Sequence, residues 1–242
     1  MHNEKTILII MNIAIILSGG TGTRFGGSIP KQYVEVGGKP IIEYCLKTFS
    51  DDEAIDKIVI CLAEDWHTLV QCSLDNIDIR KSLLFSHPGE SRQETIYNAL
   101  RLLESKGCEG DDVVIIHDAA RPLVTKKLVN DCIMACNCSD GVLPVIHVKD
   151  TIYQSTDSKN ITSLLDRNQL FAGQAPECFK FGKYIAAHKS LGKNEIALIK
   201  GSSEIAYKCG MTIRLIDGDE KNFKITTKED LSNFENIICN ES

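Results

Sequence analysis

The chain has 242 residues, of which 43% are hydrophobic and 25% charged, with a formal net charge of −6. That is enough apolar material for the core of one domain and too much for a disordered chain. A general binder of nucleic acid is basic, because phosphate contacts dominate that affinity, so no nucleic acid is expected as a partner; a local basic pocket for one small anion is still allowed.

The first apolar run, residues 7–17, follows Lys5 and imitates the core of a signal peptide. It contains Asn12, however, and ends in Ser18-Gly19-Gly20-Thr21-Gly22, with no small-x-small cleavage site. It reads as a buried first strand over 13–17 that feeds a loop. Residues 1–10 are then an N-terminal extension and 11–238 the domain. Further short apolar, β-branched runs lie at 57–62, 82–85, 113–117, 141–145 and 212–216. Amphipathic helical patterns lie between them at 40–48, 64–74, 92–104, 126–135, 181–191 and 202–209, and a last helix starts at Thr227, whose hydroxyl caps it. Glu229 and Asp230 then suit the positive end of the helix dipole. This alternation predicts an α/β fold: a single Rossmann-like domain with a mostly parallel twisted sheet flanked by helices. Ligands of such sheets sit at the carboxyl ends of the strands. Residues 147–174 break the alternation with two short strands around a polar turn, which predicts a projecting β-arm. No other stretch approaches the ~18 apolar residues of a membrane span, so no membrane partner is expected.

The ten cysteines sit mostly singly in apolar stretches, the usage of a reducing compartment, and a cytoplasmic location is expected. Cys132, Cys136 and Cys138 lack the paired spacing of a zinc site and read as core. The histidines form no ligand spacing; His117 reads as structural, and Trp66 as the anchor of a surface helix.

Two segments carry chemistry. The first is Ser18-Gly19-Gly20-Thr21-Gly22-Thr23-Arg24, followed by Pro30-Lys31-Gln32. A strand runs into glycines that bare the backbone N–H groups, which can wrap a triphosphate, while Arg24 and Lys31 add fixed positive charge. Nucleotidyl transfer needs that arrangement, because negative charge builds on the α-phosphate and the leaving pyrophosphate. The loop is neither a Walker A motif nor a dinucleotide fingerprint. The second segment is Val113-Val114-Ile115-Ile116-His117-Asp118-Ala119-Ala120-Arg121-Pro122. A buried strand here ends in Asp118, a carboxylate suited to a Mg²⁺ ion on nucleotide phosphates or equally to capping a helix, and Arg121 suits a phosphate.

These two segments, with Arg167-Asn168-Gln169-Leu170-Phe171 and Asn222-Phe223-Lys224-Ile225-Thr226 in the same order, resemble the family of 2-C-methyl-D-erythritol 4-phosphate and ribitol-5-phosphate cytidylyltransferases. The resemblance runs from about residue 12 to 235. It implies transfer of CMP from CTP to a small polyol phosphate with a divalent cation such as Mg²⁺, in isoprenoid or in teichoic acid or polysaccharide biosynthesis. It implies Arg24, Lys31 and Lys224 as catalytic residues, Gly89, Glu90 and Thr95 as readers of cytosine, and Arg121, Thr151, Arg167 and Lys224 as acceptor ligands. Thr151 and Arg167 would reach the acceptor across a homodimer interface made by the arm. Gln174-Ala175-Pro176-Glu177 departs from the usual Thr-Pro-Gln after the arm, and Lys200-Gly201 stands near the place of a usual Thr-Asp pair. Both departures fall on the acceptor side. The Gly-rich loop, Asp65-Trp66 and Gly173-Gln174 lean towards D-ribitol 5-phosphate, the segment around Asp118 towards 2-C-methyl-D-erythritol 4-phosphate, and the balance favours ribitol. The alternatives are a sugar-phosphate nucleotidyltransferase of other specificity and a nucleotide-binding domain without catalysis.

Overall fold

The computed structural model describes residues 10–20, 29–79 and 81–241, so the expected extension lies outside them except for Ile10. The strands in chain order are β1 (Asn12–Leu17), β2 (Glu35–Val36), β3 (Lys39–Pro40), β4 (Lys57–Cys61), β5 (Ser82–Ser86), β6 (Val113–Asp118), β7 (Gly141–His147), β8 (Ile152–Gln154), β9 (Ser163–Leu165), β10 (Phe171–Gly173), β11 (Glu177–Lys180) and β12 (Ile213–Asp217). The helices are α1 (Ile41–Ser50), α2 (His67–Asn76), α3 (Arg92–Ser105), α4 (Lys126–Cys136), α5 (Phe181–Ser190), α6 (Lys193–Leu198), α7 (Ser202–Lys208) and α8 (Lys228–Glu241).

The main sheet runs β5-β4-β1-β6-β11-β7, with β1, β4, β5 and β6 parallel. β11 inserts antiparallel between β6 and β7. β10 continues along the same edge of β7 beyond β11, and β12 pairs parallel with the opposite edge. The sheet is therefore mostly parallel, as the apolar runs predict, with two antiparallel strands that they do not announce.

Side chains alternate across this sheet. Ala14 and Ile16 face α1, α2 and α4, while Ile13 and Ile15 face α3, α5 and α7, and all four are fully buried. Strands apolar on both faces are what a parallel sheet covered by two helical layers requires. Helix α8 docks separately, with Phe234 against Val36, Ile41 and Ile225. It is capped where expected: the Asp230 N–H donates to the Thr227 hydroxyl, and the Asp230 carboxylate accepts the Thr226 and Thr227 N–H groups.

The arm is a separate two-stranded sheet of β8 and β9. Its turn is tied by Asp157, which accepts the N–H groups of Lys159 and Asn160. The third segment, β10, returns to the main sheet instead of belonging to the projection. The helical pattern at 64–74 splits into a 3-10 turn at Glu64–Trp66 and α2.

Candidate active site

β1 ends by placing Ser18, Gly19 and Gly20 at the carboxyl edge of the sheet. Gly19 has no room for a side chain, because a Cβ there would lie 2.3 Å from the Cβ of Pro88 in the loop after β5. The short 3-10 turn Lys31–Tyr33 anchors this strand exit. Buried Gln32 donates its Nε2 to the carbonyls of Ser18 at 2.7 Å and Gly20 at 2.8 Å. The Tyr33 and Ser18 hydroxyls lie 2.7 Å apart, and the Tyr33 hydroxyl also donates to the Ser18 carbonyl at 3.0 Å. Trp66 stacks on Tyr33 with ring centroids 4.4 Å apart. It therefore braces the root of the Gly-rich loop instead of merely anchoring a surface helix. Lys31 opens the turn, half-buried. Thr21, Gly22, Thr23 and Arg24 lie outside the described residues.

Beside this root is the loop before α3. The Gly89 N–H donates to the Thr95 hydroxyl at 2.9 Å, and that hydroxyl donates to the Ser91 carbonyl. A Cβ at Gly89 would lie 2.5 Å from Glu94 Cγ and 2.9 Å from its backbone carbon, so the close turn requires glycine. Glu90 is exposed, with its N–H on the Glu94 carboxylate. The strand exit and this loop thus pack together through Gly19 and Pro88.

The third part is a charge cluster at the end of β6. Asp118 is 8% exposed. Its Oδ1 lies 3.3 Å from Arg92 Nε, its Oδ2 lies 2.9 Å from Lys224 Nζ, and Arg121 Nε stands 3.8 Å from Oδ2. Burial opposes its ionisation, but the cations Arg92, Lys224 and Arg121 outweigh that and hold its carboxyl well below the usual carboxylate range. Burial likewise draws the Arg92 guanidinium down, yet the carboxylates of Asp118 and Glu177 leave it raised. Arg121 donates Nη1 to the Asn222 carbonyl at 2.6 Å, while its buried Nε has no hydrogen-bond partner among the described residues. Asn222, wholly buried, donates Nδ2 to the Ala175 carbonyl at 2.6 Å. The segment carrying Lys224 is thereby tied to the strand return after the arm. His117 donates Nε2–H to the Arg121 carbonyl, and burial pushes its pKa down to about 4, so it sits there as a neutral structural group.

The site therefore brings together Ser18, Gly19, Gly20, Lys31, Gly89, Glu90 and Thr95 at one end of the sheet, with Asp118, Arg121 and Lys224 beside them. It does not bring in Thr151 and Arg167. Both are exposed on the arm, and Arg167 donates to the Lys149 carbonyl of its own arm. Asp118 is also not the open metal ligand that the sequence suggests. Both its oxygens face cations, and the nearby Glu177 is spent on Arg92 and Ser203. Among the described residues no three His, Cys, Asp or Glu side chains form a metal group. These residues do not fit a divalent ion held by the protein; Mg²⁺ carried on nucleotide phosphates needs only one or two carboxylates in any case.

Sequence reasoning missed Arg92, Tyr33 and Asn222. A signal for Arg92 was present. An arginine in the first turn of a helix opposes the helix dipole, so it needs carboxylates from elsewhere.

A family model described as 2-C-methyl-D-erythritol 4-phosphate cytidylyltransferase matches residues 12–240. A protein of that name from Clostridium beijerinckii is 36% identical over 229 residues, 94% of this chain and 98% of its own length. One from Clostridium botulinum is 35% identical over 231 residues, 94% of this chain and 97% of its own. The crystal structure of the Francisella tularensis protein of that name, 28% identical, superposes with a TM-score of 0.77 over 93% of this chain and 99% of its own. No helix among the described residues is long and apolar enough to cross a membrane.

Proposed function

Because the chain belongs to the 2-C-methyl-D-erythritol 4-phosphate cytidylyltransferase family, and so is a CTP-dependent cytidylyltransferase, we propose that its acceptor is 2-C-methyl-D-erythritol 4-phosphate. The lean towards D-ribitol 5-phosphate gives way, since the matching family model and the relatives in both comparisons carry the methylerythritol name. In the reaction an oxygen of the acceptor phosphate attacks the α-phosphorus of CTP. The bond from that phosphorus to the bridging oxygen breaks, and pyrophosphate leaves. The phosphate is already anionic, so positioning and charge neutralisation dominate and no strong base is needed.

The observation that carries the reading is the meeting of Arg92, Arg121 and Lys224 on Asp118, beside the root of the Gly-rich loop. Arg121 and Lys224 are two cations for one phosphate. Asp118 bridges them through Oδ2, offsets their mutual repulsion and holds their charge in place until the acceptor arrives. On the nucleotide side, the bare backbone around Gly19 and Gly20, with Lys31 and Arg24, takes the triphosphate. Gly89, Glu90 and Thr95 take the base.

The enzyme acts as a homodimer in which Thr151 and Arg167 of one arm complete the neighbour's acceptor site. This is supported by the arm's uncovered apolar side chains: Tyr153, Ile161 and Leu164 are 57%, 67% and 65% exposed. An isolated two-stranded excursion of that kind needs something to pack against.

The deciding experiment measures pyrophosphate release with CTP and a panel of 2-C-methyl-D-erythritol 4-phosphate, D-ribitol 5-phosphate and other sugar phosphates. The methylerythritol compound is expected to give the highest kcat/KM. A higher value for ribitol phosphate, or turnover with none of them, overturns the assignment.

A further inference from the structure

Glu177 closes one of the two stretches in which the sequence departs from its family, Ser203 stands two residues beyond the other, and in the fold they meet. Glu177, 7% exposed, opens β11 at the carboxyl edge of the parallel strands. Its Oε2 accepts both the N–H of Ser203 at 2.9 Å and the Ser203 hydroxyl at 2.6 Å, which fixes the start of α7. Its Oε1 faces Arg92 Nη2 at 3.5 Å. The remaining arms of the same guanidinium go to Ser202 through Nη1 and to Asp118 Oδ1 through Nε. Asp118 Oδ2 is left to Lys224 at 2.9 Å, with Arg121 Nε at 3.8 Å from the same oxygen.

Nε and Nη2 form one edge of a guanidinium, the edge that grips a single carboxylate with two parallel hydrogen bonds. Here that edge is split between two carboxylates. We propose that Glu177 is a positioning residue for acceptor binding, because by holding Nη2 it keeps Arg92 from closing on both oxygens of Asp118 and so leaves Oδ2 to the acceptor cations Lys224 and Arg121. The inference rests on the reading of Arg121 and Lys224 as the acceptor's phosphate ligands. Without the Glu177 oxygen on Nη2, Arg92 rotates onto Asp118 in the bidentate geometry and displaces Lys224 from its place.

The test is Glu177→Leu, which removes the oxygen that a glutamine would keep, assayed with CTP and whichever polyol phosphate the wild type turns over best. The acceptor KM is expected to rise about tenfold, the scale of one charge-assisted hydrogen bond, with the CTP KM moved less than about twofold. Simple addition of charges predicts the opposite sign, since removing a negative charge beside a phosphate site should tighten phosphate binding. A fall in the acceptor KM, an unchanged one, or an equal rise for CTP each overturns the inference. If Glu177→Leu does not fold, Ser203→Ala removes only the hydroxyl bond. It should raise the acceptor KM about twofold to threefold, and no rise there also overturns the inference. If the wild type turns over no polyol phosphate, the acceptor reading itself falls and this inference with it. Wild-type turnover with an unmoved KM in the variants sinks the inference alone.

Discussion

Lys224 has the most room to move of the three cations on Asp118. Its side chain is 34% exposed, against 25% for Arg92 and 12% for Arg121. Arg121 is pinned through Nη1 on the Asn222 carbonyl, and Arg92 is spread over three partners, whereas among the described residues the Lys224 ammonium has its hydrogen bond on Asp118 alone. An incoming phosphate can therefore draw Lys224 over without unmaking the site. Lys224→Met keeps the apolar stem and removes the charge. It should lower kcat/KM for the acceptor by ~10²–10³, the range for one preorganised donor, and leave the CTP KM nearly unchanged. The thermal midpoint should move little, because the Lys224 end of the pair is about one-third exposed and Arg92 and Arg121 stay on Asp118. Steady-state kinetics in both substrates check this, and an equal loss for CTP would misplace Lys224. At this scale the sequence announced Asp118, Arg121 and Lys224 by their motifs. It could not announce their mutual contact, because Lys224 and Asp118 are 106 residues apart along the chain.

Two elements carry function without containing the reacting groups. The 3-10 turn Lys31–Tyr33 holds the exit of β1 through Gln32 and Tyr33. Gln32→Leu keeps the bulk and deletes two donors, leaving the buried Ser18 carbonyl with the Tyr33 hydroxyl and breaking the bond to the exposed Gly20 carbonyl. The two lost bonds together cost about 1–3 kcal/mol, at about 0.5–1.5 kcal/mol each, and the loss falls on the loop that meets the triphosphate. The CTP KM should rise at least ~10-fold while the acceptor KM stays within about twofold; binding measured by calorimetry distinguishes the two. The arm is the second such element. If it serves the neighbour, mixing Arg24→Ala and Arg167→Ala subunits restores one intact site per mixed dimer, and activity should return to roughly a quarter of the wild type at equal mixing, counting half the dimers as mixed with one of two sites active. Failure to recover activity after proven subunit exchange would show that each arm serves its own chain. The sequence made the arm visible as a break in the strand–helix rhythm. It left β11 invisible, since four residues bounded by Glu177 and Lys180 make too short and too polar-ended a run to stand out.

Across the whole molecule, two buried histidines brace opposite faces of the sheet. His117 lies 5.1 Å from the Phe49 ring on the side of α1. His188 packs between Tyr97 and Tyr184 on the side of α3 and α5. Burial pushes both down from the ordinary 6.5 to about 4. The unfolded chain therefore binds more protons than the folded one between those values. Stability is fully present above pH 6.5 and is lost as the pH falls towards 4, by about 1.4 kcal/mol per pH unit for each histidine. Asp118, held far below the usual range, should add to that slope only at the acid end, below about pH 5, where the unfolded carboxyl starts to take up a proton that the folded one refuses. Denaturant unfolding from pH 7 to 4 should show the fall, and His188→Gln should roughly halve the histidine part of the slope. A slope unaltered by that change would remove His188 as a source.

The sequence by itself determined the parallel core, the Gly-rich loop, the arm and the family, because each is written in a contiguous run: apolar strands, glycines after a strand, a broken rhythm, motifs in order. What only the tertiary structure decided is how charges at distant positions divide among themselves. Asp118 reads in sequence as a metal ligand or a helix cap. In the fold it is the shared counter-ion of Arg92, Arg121 and Lys224, while Glu177 and Ser203 are joined across 26 residues. Spacing along a chain encodes local geometry, whereas the protonation and pairing of a buried carboxylate depend on which cations the fold brings within about 4 Å of it.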